Sequence, residues 1–325
     1  MAEPVTTTTN DGATAALPMR DGSITIAALI DHYMAQYAGR DCTRVQRLGW
    51  WARQIGAHRL DEVTDDHLHI ALETLADRSA RYYAGKDADG QPIYRAKRKP
   101  MAPATVNRYA ASISAVFTWS IRKRVAPKGW DHPGRRIERK PENNDRTRFL
   151  SDDERVRLLA ACKASKWPRL YLIVLLALTT GARKGELLGL RWCDVDLARQ
   201  LVHVGRTKNG DPKALPLVPA VVAELERFKP ERQGPELVFG KAKAPTLPYA
   251  FEGRWHEAMR AAKLRDFCFH ALRHSCASLL AQNGATLLEI GDLLGHRQIA
   301  MTKRYSHLAA GHRTALVNRV LGDLR

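Results

Sequence analysis

Along most of its 325 residues the chain sets apolar side chains three and four positions apart, the stripe a helix needs to bury one face. Ile26, Leu29, Ile30, Tyr33, Met34 and Tyr37 begin the pattern, and Gly39 closes that segment. Comparable stretches cover about 43–56, 64–79 and 104–124. No alternating strand pattern separates them, so 23–125 is expected to fold as a small helical bundle. Residues 80–100 break the rhythm with Gly85, Gly90 and Pro92, followed by the basic run Arg95, Lys97, Arg98 and Lys99. We read this as a loop or short hairpin inserted between helices. Before the bundle, 1–22 is polar and aperiodic, which predicts a disordered extension. After it, 126–148 carries Pro127, Gly129, Pro133, Gly134 and Pro141 among many Arg and Lys, the composition of an exposed linker.

A second domain is expected over 149–325. Ser151-Asp152-Asp153-Glu154 is a capping-box pattern ahead of an apolar helix, and a buried helix follows at 168–180. Leu201–Val204 and Ala214–Leu217 flank Asn209-Gly210, a strong hairpin signal with room for a loop longer than two residues. Helical patterns then run from about 219 to the end. The fold class is therefore mainly α, with a small β-hairpin or sheet in the second domain.

Charge narrows the partner. The net charge is +18, and it is unevenly placed. Residues 1–77 carry 6 basic against 11 acidic side chains, whereas 78–148 carry 18 against 6. A basic surface of that size favours a polyanion, though it specifies no chemistry. The five cysteines (Cys42, Cys162, Cys193, Cys268, Cys276) are odd in number and form no CxxC pair, which suits a reducing cytosol. The N-terminus lacks the regions of a signal peptide. The longest apolar run, Leu170–Leu178, is well short of the roughly 20 residues that span a bilayer. A soluble cytoplasmic protein, with no membrane partner, is expected.

Four pieces of the second domain carry chemistry together. They are Thr180-Gly181-Ala182-Arg183-Lys184-Gly185-Glu186-Leu187, then Lys208 beside the Asn-Gly turn, then His270-Ala271-Leu272-Arg273-His274, and finally Leu294-Gly295-His296 with Tyr305 nine residues on. Singly, each has an ordinary explanation as a capping, surface or packing residue. Jointly, Arg183, Glu186, Lys208, His270, Arg273, His296 and Tyr305 resemble, in type and order, the catalytic set of the tyrosine recombinases, the phage-integrase family. Ala104-Thr105-Val106-Asn107-Arg108-Tyr109 and the helix after it look like that family's core-binding domain.

The resemblance implies a two-domain clamp on double-stranded DNA and a site-specific recombinase. It would cleave and rejoin through a 3′-phosphotyrosine, with Tyr305 as nucleophile. Two guanidiniums, Arg183 and Arg273, suit the non-bridging oxygens of a pentacoordinate phosphorus. His270 and His296 can add hydrogen bonds, and one can relay the phenolic proton. Lys208 is the natural proton donor to the leaving 5′-oxygen, and Glu186 buttresses Arg183. Side chains supply the positive charge and the phosphotyrosine stores the bond energy, so no cofactor, metal or ATP is expected. Implied partners are a homo-tetramer on paired sites and accessory DNA-bending proteins, with the protein nucleoid-associated when bound. Arg95, Lys97, Arg98, Lys99, Asn107 and Arg108 are expected to contact DNA. His274 is read as a helix-packing residue. The apolar positions of 313–324 can pack on a neighbouring subunit or back on their own domain.

Three other readings use the same residues. His270 and His274, four apart, have zinc-hydrolase spacing, but HALRH lacks the Glu of HExxH. Gly284 and Gly295 between short helices suit a helix-turn-helix that only binds DNA. A type IB topoisomerase has a very similar active site and differs in relaxing DNA without paired sites. Two features depart from the family pattern: about 22 residues precede the first helix, too few for an arm-binding domain, and the 80–100 insertion is long.

Overall fold

The computed structural model describes residues 20, 22–87, 89–142, 148–205, 212–231, 234–309 and 317–322. The chain divides into two compact units, Met1–Asn144 and Asp145–Arg325.

The first unit is built on four helices: α1 (Ile26–Ala35), α2 (Arg44–Ile55), α3 (Asp65–Asp77) and α4 (Pro103–Arg122). Pro103 opens α4 at a position where the missing N–H costs nothing. The stripes predicted from spacing face inward, so that Ile26, Leu29, Leu48, Trp51, Leu68, Ile113 and Phe117 are fully buried. The Trp51 indole also donates to the Tyr109 carbonyl at 2.9 Å, which satisfies its buried N–H. Between α3 and α4 the insertion is an antiparallel hairpin, β1 (Ser79–Lys86) with β2 (Pro92–Pro100), irregular where Tyr83 and Gly85 pass Tyr94 and Ile93.

The expected linker does not begin at 126. Ala126 is buried, and Trp130 and Ile137 pack on the helical core, with the Trp130 ring edge-on to Phe117 at 5.5 Å. His132 is 2% exposed and meets the Ser114 carbonyl at 3.1 Å. Proline and glycine predicted irregular backbone correctly, but irregular backbone need not be exposed when it carries its own apolar anchors. The extension 1–22 lies outside the described residues except for Arg20 and Gly22. Arg20 donates to the Arg124 carbonyl, and the Gly22 carbonyl accepts from the Asp61 N–H.

The second unit is centred on α6 (Leu170–Thr180), in which nine of eleven residues are buried. A helix apolar on every side must be covered on every side. The preceding helix α5 (Asp152–Lys163) opens with the predicted capping box, Ser151 Oγ accepting from the Glu154 N–H and Glu154 from the Ser151 N–H. After α6 come α7 (Lys184–Leu188), an antiparallel sheet ordered β3 (Val195–Asp196), β4 (Leu201–Val204), β5 (Lys213–Pro216), and then α8 (Pro219–Phe228). Val202 faces Leu215 across the sheet, and both are buried. The predicted hairpin is therefore present; Asn209-Gly210 and Lys208, in its loop, lie outside the described residues.

A second hairpin, β6 (Gly240–Lys241) with β7 (Ala244–Pro248), falls where helices were expected to dominate. Two residues paired with five, two of those five proline, carry no periodic signal. The unit continues through α9 (Glu252–Ala261), α10 (Ala271–Gln282) and α11 (Leu287–Leu294), then 3₁₀ turns at Ile299–Met301 and Lys303–Ala309. The fold is mostly helical with small antiparallel sheets, as predicted. No helix among the described residues is long and apolar enough to cross a membrane.

Candidate active site

Helix ends assemble the site. α6 stops at Gly181 and α11 at Gly295, both in the left-handed conformation that only glycine adopts without strain. A Cβ on Gly181 would lie 2.2 Å from Leu294 Cδ2, so this glycine also lets the two helix ends meet. Arg273, on the first turn of α10, is 4% exposed and ties both ends together. Its Nη1 donates to the Gly181 carbonyl at 2.8 Å and its Nη2 to the Leu294 carbonyl at 2.7 Å. Helix C-termini carry partial negative charge, so they are natural seats for a guanidinium. Among the described residues these two bonds leave three of its five N–H groups for another ligand. Burial, then the nearby Arg183, lowers its pKa to about 10, and it stays charged at neutral pH.

Arg183 stands two residues after Gly181 and caps α7. Its Nη1 donates to Glu186 Oε1 at 2.9 Å, and its backbone N–H to Oε2 at 3.0 Å. Glu186 is almost wholly buried and also receives Lys213 Nζ, from the start of β5, at 2.8 Å. Burial opposes ionisation of Glu186, but the bonds from Lys213 and Arg183 prevail and hold its carboxyl below the usual 4.5. Burial lowers the Lys213 ammonium despite Glu186, and Arg273 and Arg183 lower it further.

The histidines sit in the same positive field. His270, at the N-terminus of α10, has an exposed rim, yet the protein around it and then Arg273, Arg183 and Arg304 keep its pKa below 6.5. His296 bonds Thr302 Oγ1 at 2.8 Å and is held at about 4 by burial and then by Arg273, Arg183 and Arg304. Both are neutral at pH 7. Tyr305 is 2% exposed, its ring packed in a small cluster with Ala277, Ala281, Ile290 and Leu294. Burial raises its pKa above 10, against the pull of Arg304 and Arg273.

Of the seven residues expected to act together, the structure therefore gathers Arg183, Glu186, His270, Arg273, His296 and Tyr305. Lys208 lies outside the described residues. Three residues were missed. Lys213 and Arg304 had no sequence signal beyond being basic. His274 was assigned to helix packing, but its Nδ1 lies 2.6 Å from the Tyr305 hydroxyl. The one available clue was its place four residues after His270, on the same helical face.

The expected DNA contacts divide. Arg95, Lys99 and Arg108 are exposed, and nothing is described for the side chains of Lys97 and Arg98. Asn107 is held within the fold. It is 8% exposed, its Nδ2 donates to the Lys140 carbonyl at 2.8 Å and to Glu142 Oε1 at 2.7 Å, and its Oδ1 accepts from the Lys140 N–H at 2.9 Å. An amide whose two N–H groups are both engaged secures the chain that follows the bundle and, in this arrangement, has no donor left for a phosphate.

The chain resembles known proteins over much of its length. The Phage integrase family model matches residues 148–312, just over half the chain. The chain belongs to the phage integrase family. It is 26% identical over 289 residues to the integrase of Salmonella phage P22, covering 82% of this chain and 72% of that one. It spans between 53% and 62% of the length of four further curated relatives. The Tn1549 transposon integrase, solved with a circular-intermediate DNA, shares the fold with a TM-score of 0.68 at 17% identity, over 92% of this chain and 100% of that one. Lambda integrase, solved as a tetramer on a Holliday junction, shares it with a TM-score of 0.60 at 19% identity, over 86% of this chain and 79% of that one. The tyrosine recombinase resemblance read from the motifs is thus the correct family.

Proposed function

We propose that this integrase-family enzyme is a site-specific DNA recombinase that opens and rejoins DNA through a 3′-phosphotyrosine on Tyr305. One observation carries the reading: three distant segments, ending in Arg183, Arg273 and Tyr305, converge with two neutral histidines in one positive field. In this reading Arg183 and the free N–H groups of Arg273 hold the non-bridging oxygens as charge builds on phosphorus. His270 and His296 donate further bonds to the phosphate. Lys208 protonates the leaving 5′-oxygen. Glu186 and Lys213 fix the Arg183 fork.

The two units would close around duplex DNA, with two subunits on each site and four on a paired complex. The lambda integrase tetramer lends support to that stoichiometry. So does the short helix at 317–321, whose Val317, Val320 and Leu321 are half or more exposed and available to a neighbour. Accessory DNA-bending proteins, and a cytoplasmic location on the nucleoid, belong to the same proposal.

The deciding experiment uses a nicked duplex from which a short 5′-ended fragment diffuses away after cleavage. Wild type is expected to become covalently attached to the 3′ end. Tyr305→Phe is expected to bind the same DNA with unchanged affinity and to trap none. An adduct with Tyr305→Phe would remove Tyr305 as nucleophile. Relaxation of supercoiled plasmid without any paired site would point to a topoisomerase instead.

The hairpin is expected to add affinity without reading sequence, because long basic side chains meet phosphates more readily than base edges. Replacing Arg95, Lys97, Arg98 and Lys99 with Ala should flatten the log–log salt dependence of binding by about 0.9 per lost phosphate contact. An unchanged slope would leave the hairpin a solvated loop.

A further inference from the structure

We propose that His274 is the group that takes the phenolic proton from Tyr305 as it attacks, which makes it a catalytic residue beside the two histidines of the motif. This rests on the reading in which Tyr305 is the nucleophile. Among the described residues, the side-chain hydrogen bond at the Tyr305 hydroxyl is to His274 Nδ1, at 2.6 Å. The two rings stand 6.1 Å apart, tilted by 45°. His270 contacts His274 ring-on-edge at 5.3 Å, and His296 spends its Nδ1 on Thr302.

A general base needs the phenol as donor, so that Nδ1 carries no proton and the ring's hydrogen sits on Nε2, a tautomer open only to a neutral imidazole. His274 meets that condition at neutral pH, because burial, then His270, Arg304 and Arg273, depress its pKa to about 4. His296 lies in the same field, and its own pKa is lowered in part by His274. A base so weak does not deprotonate a buried phenol in the resting enzyme. One of the charges that weaken it, Arg273, belongs to the proposed phosphate site, and Arg304 acts on the same group of side chains. A phosphodiester anion there offsets them and raises the imidazole's proton affinity when the phenol must lose its proton. Substrate thereby switches the base on.

The proton also has somewhere to go. His274 lines a solvent-open cavity of about 600 Å³ in the catalytic unit, walled by Met259, Phe267 and Ala271. Its charged and titratable lining is Arg148, His256, Arg260 and Asp266, with Cys268. The step balances. Tyr305 Oη forms its bond to phosphorus, the bond to the 5′-oxygen breaks and Lys208 protonates that oxygen. His274 Nδ1 gains the phenolic proton, and the imidazolium returns a proton to water in the cavity.

The test is the single-turnover rate of adduct formation on the nicked duplex from pH 5 to 9, with DNA affinity and thermal melting as controls. His274→Ala should fall by about 10²–10⁴-fold, with DNA affinity kept and the wild-type dependence on a base gone. Added imidazole should restore part of that rate. His274→Asn places an amide oxygen near the Nδ1 position, which holds the hydrogen bond and the fold but cannot take a proton; it should stay slow. A wild-type rate in His274→Asn would show that the ring only positions Tyr305, and an equal or faster His274→Ala would show a resting latch. Loss without imidazole rescue and with the wild-type pH profile would show a structural role. Each of these overturns the proposal. If wild type forms no adduct at all, the failure lies in the reading of Tyr305 as nucleophile, and this inference falls with it.

Discussion

Arg273→Ala is expected to slow adduct formation by about 10²–10³-fold, the usual cost of removing one preorganised donor from a transition-state anion site. It should also destabilise the catalytic unit, which most catalytic substitutions do not. The Arg273 fork is buried against the Gly181 and Leu294 carbonyls, the ends of α6 and α11. Truncation leaves both acceptors without that donor in the interior, at about 1–3 kcal/mol each. Arg273→Lys separates the two effects. It keeps one positive charge, but a single ammonium cannot reproduce a planar fork that spans two carbonyls. Melting and single-turnover cleavage should therefore both fall partway. Wild-type melting in Arg273→Ala would show that the bridge between helix ends contributes nothing. Wild-type cleavage in Arg273→Lys would show that charge alone, without the fork, serves the reaction.

The same residue shows what sequence could reveal here and what it could not. Arg273 was legible as half of a motif, because a His-x-x-Arg is a local pattern. Its attachment to Gly181 and Leu294 was not, because that depends on how three separate helices meet. The helices of the first unit were readable for the same local reason: a stripe at 3.6-residue spacing is written within each helix. The packing of 126–142 depended on partners far along the chain, and its proline and glycine content concealed Trp130 and Ile137. Asn107 looked like a DNA contact by resemblance, and only the fold shows that its amide is engaged by Lys140 and Glu142. His274 is the most instructive case. Its spacing from His270 is that of a zinc-hydrolase pair, but the hydroxyl it faces is 31 residues away. No local pattern distinguishes a histidine that packs from one that meets a tyrosine across the fold.

Glu186→Ala is expected to be the most destabilising single change in the site. The carboxylate is 5% exposed and receives Arg183 at 2.9 Å and Lys213 at 2.8 Å. Without it, two cations that already repel one another stay in a poorly solvated place. Removing one partner of such a buried pair costs about 3–5 kcal/mol, far more than the pair itself contributes. For a unit of this size the melting temperature should fall by roughly 10 °C. Glu186→Gln keeps an acceptor but not the charge, and should lie between. The pH dependence identifies the cause. Because Lys213 and Arg183 hold the folded-state carboxyl below its unfolded value, the stability it adds is fully present above the unfolded pKa. That stability is lost as pH falls through the folded one. The stability gap between wild type and Glu186→Gln should accordingly be widest near neutral pH and narrow steadily on acidification. A gap that stays constant down to acid would mean the carboxylate's charge is irrelevant and only its shape is used. Cleavage adds a second readout, because Arg183 loses the Oε1 contact that fixes its fork. If Glu186→Gln cleaves at the wild-type rate despite its lower stability, Arg183 needs no buttress, and the contribution of Glu186 is to the fold alone.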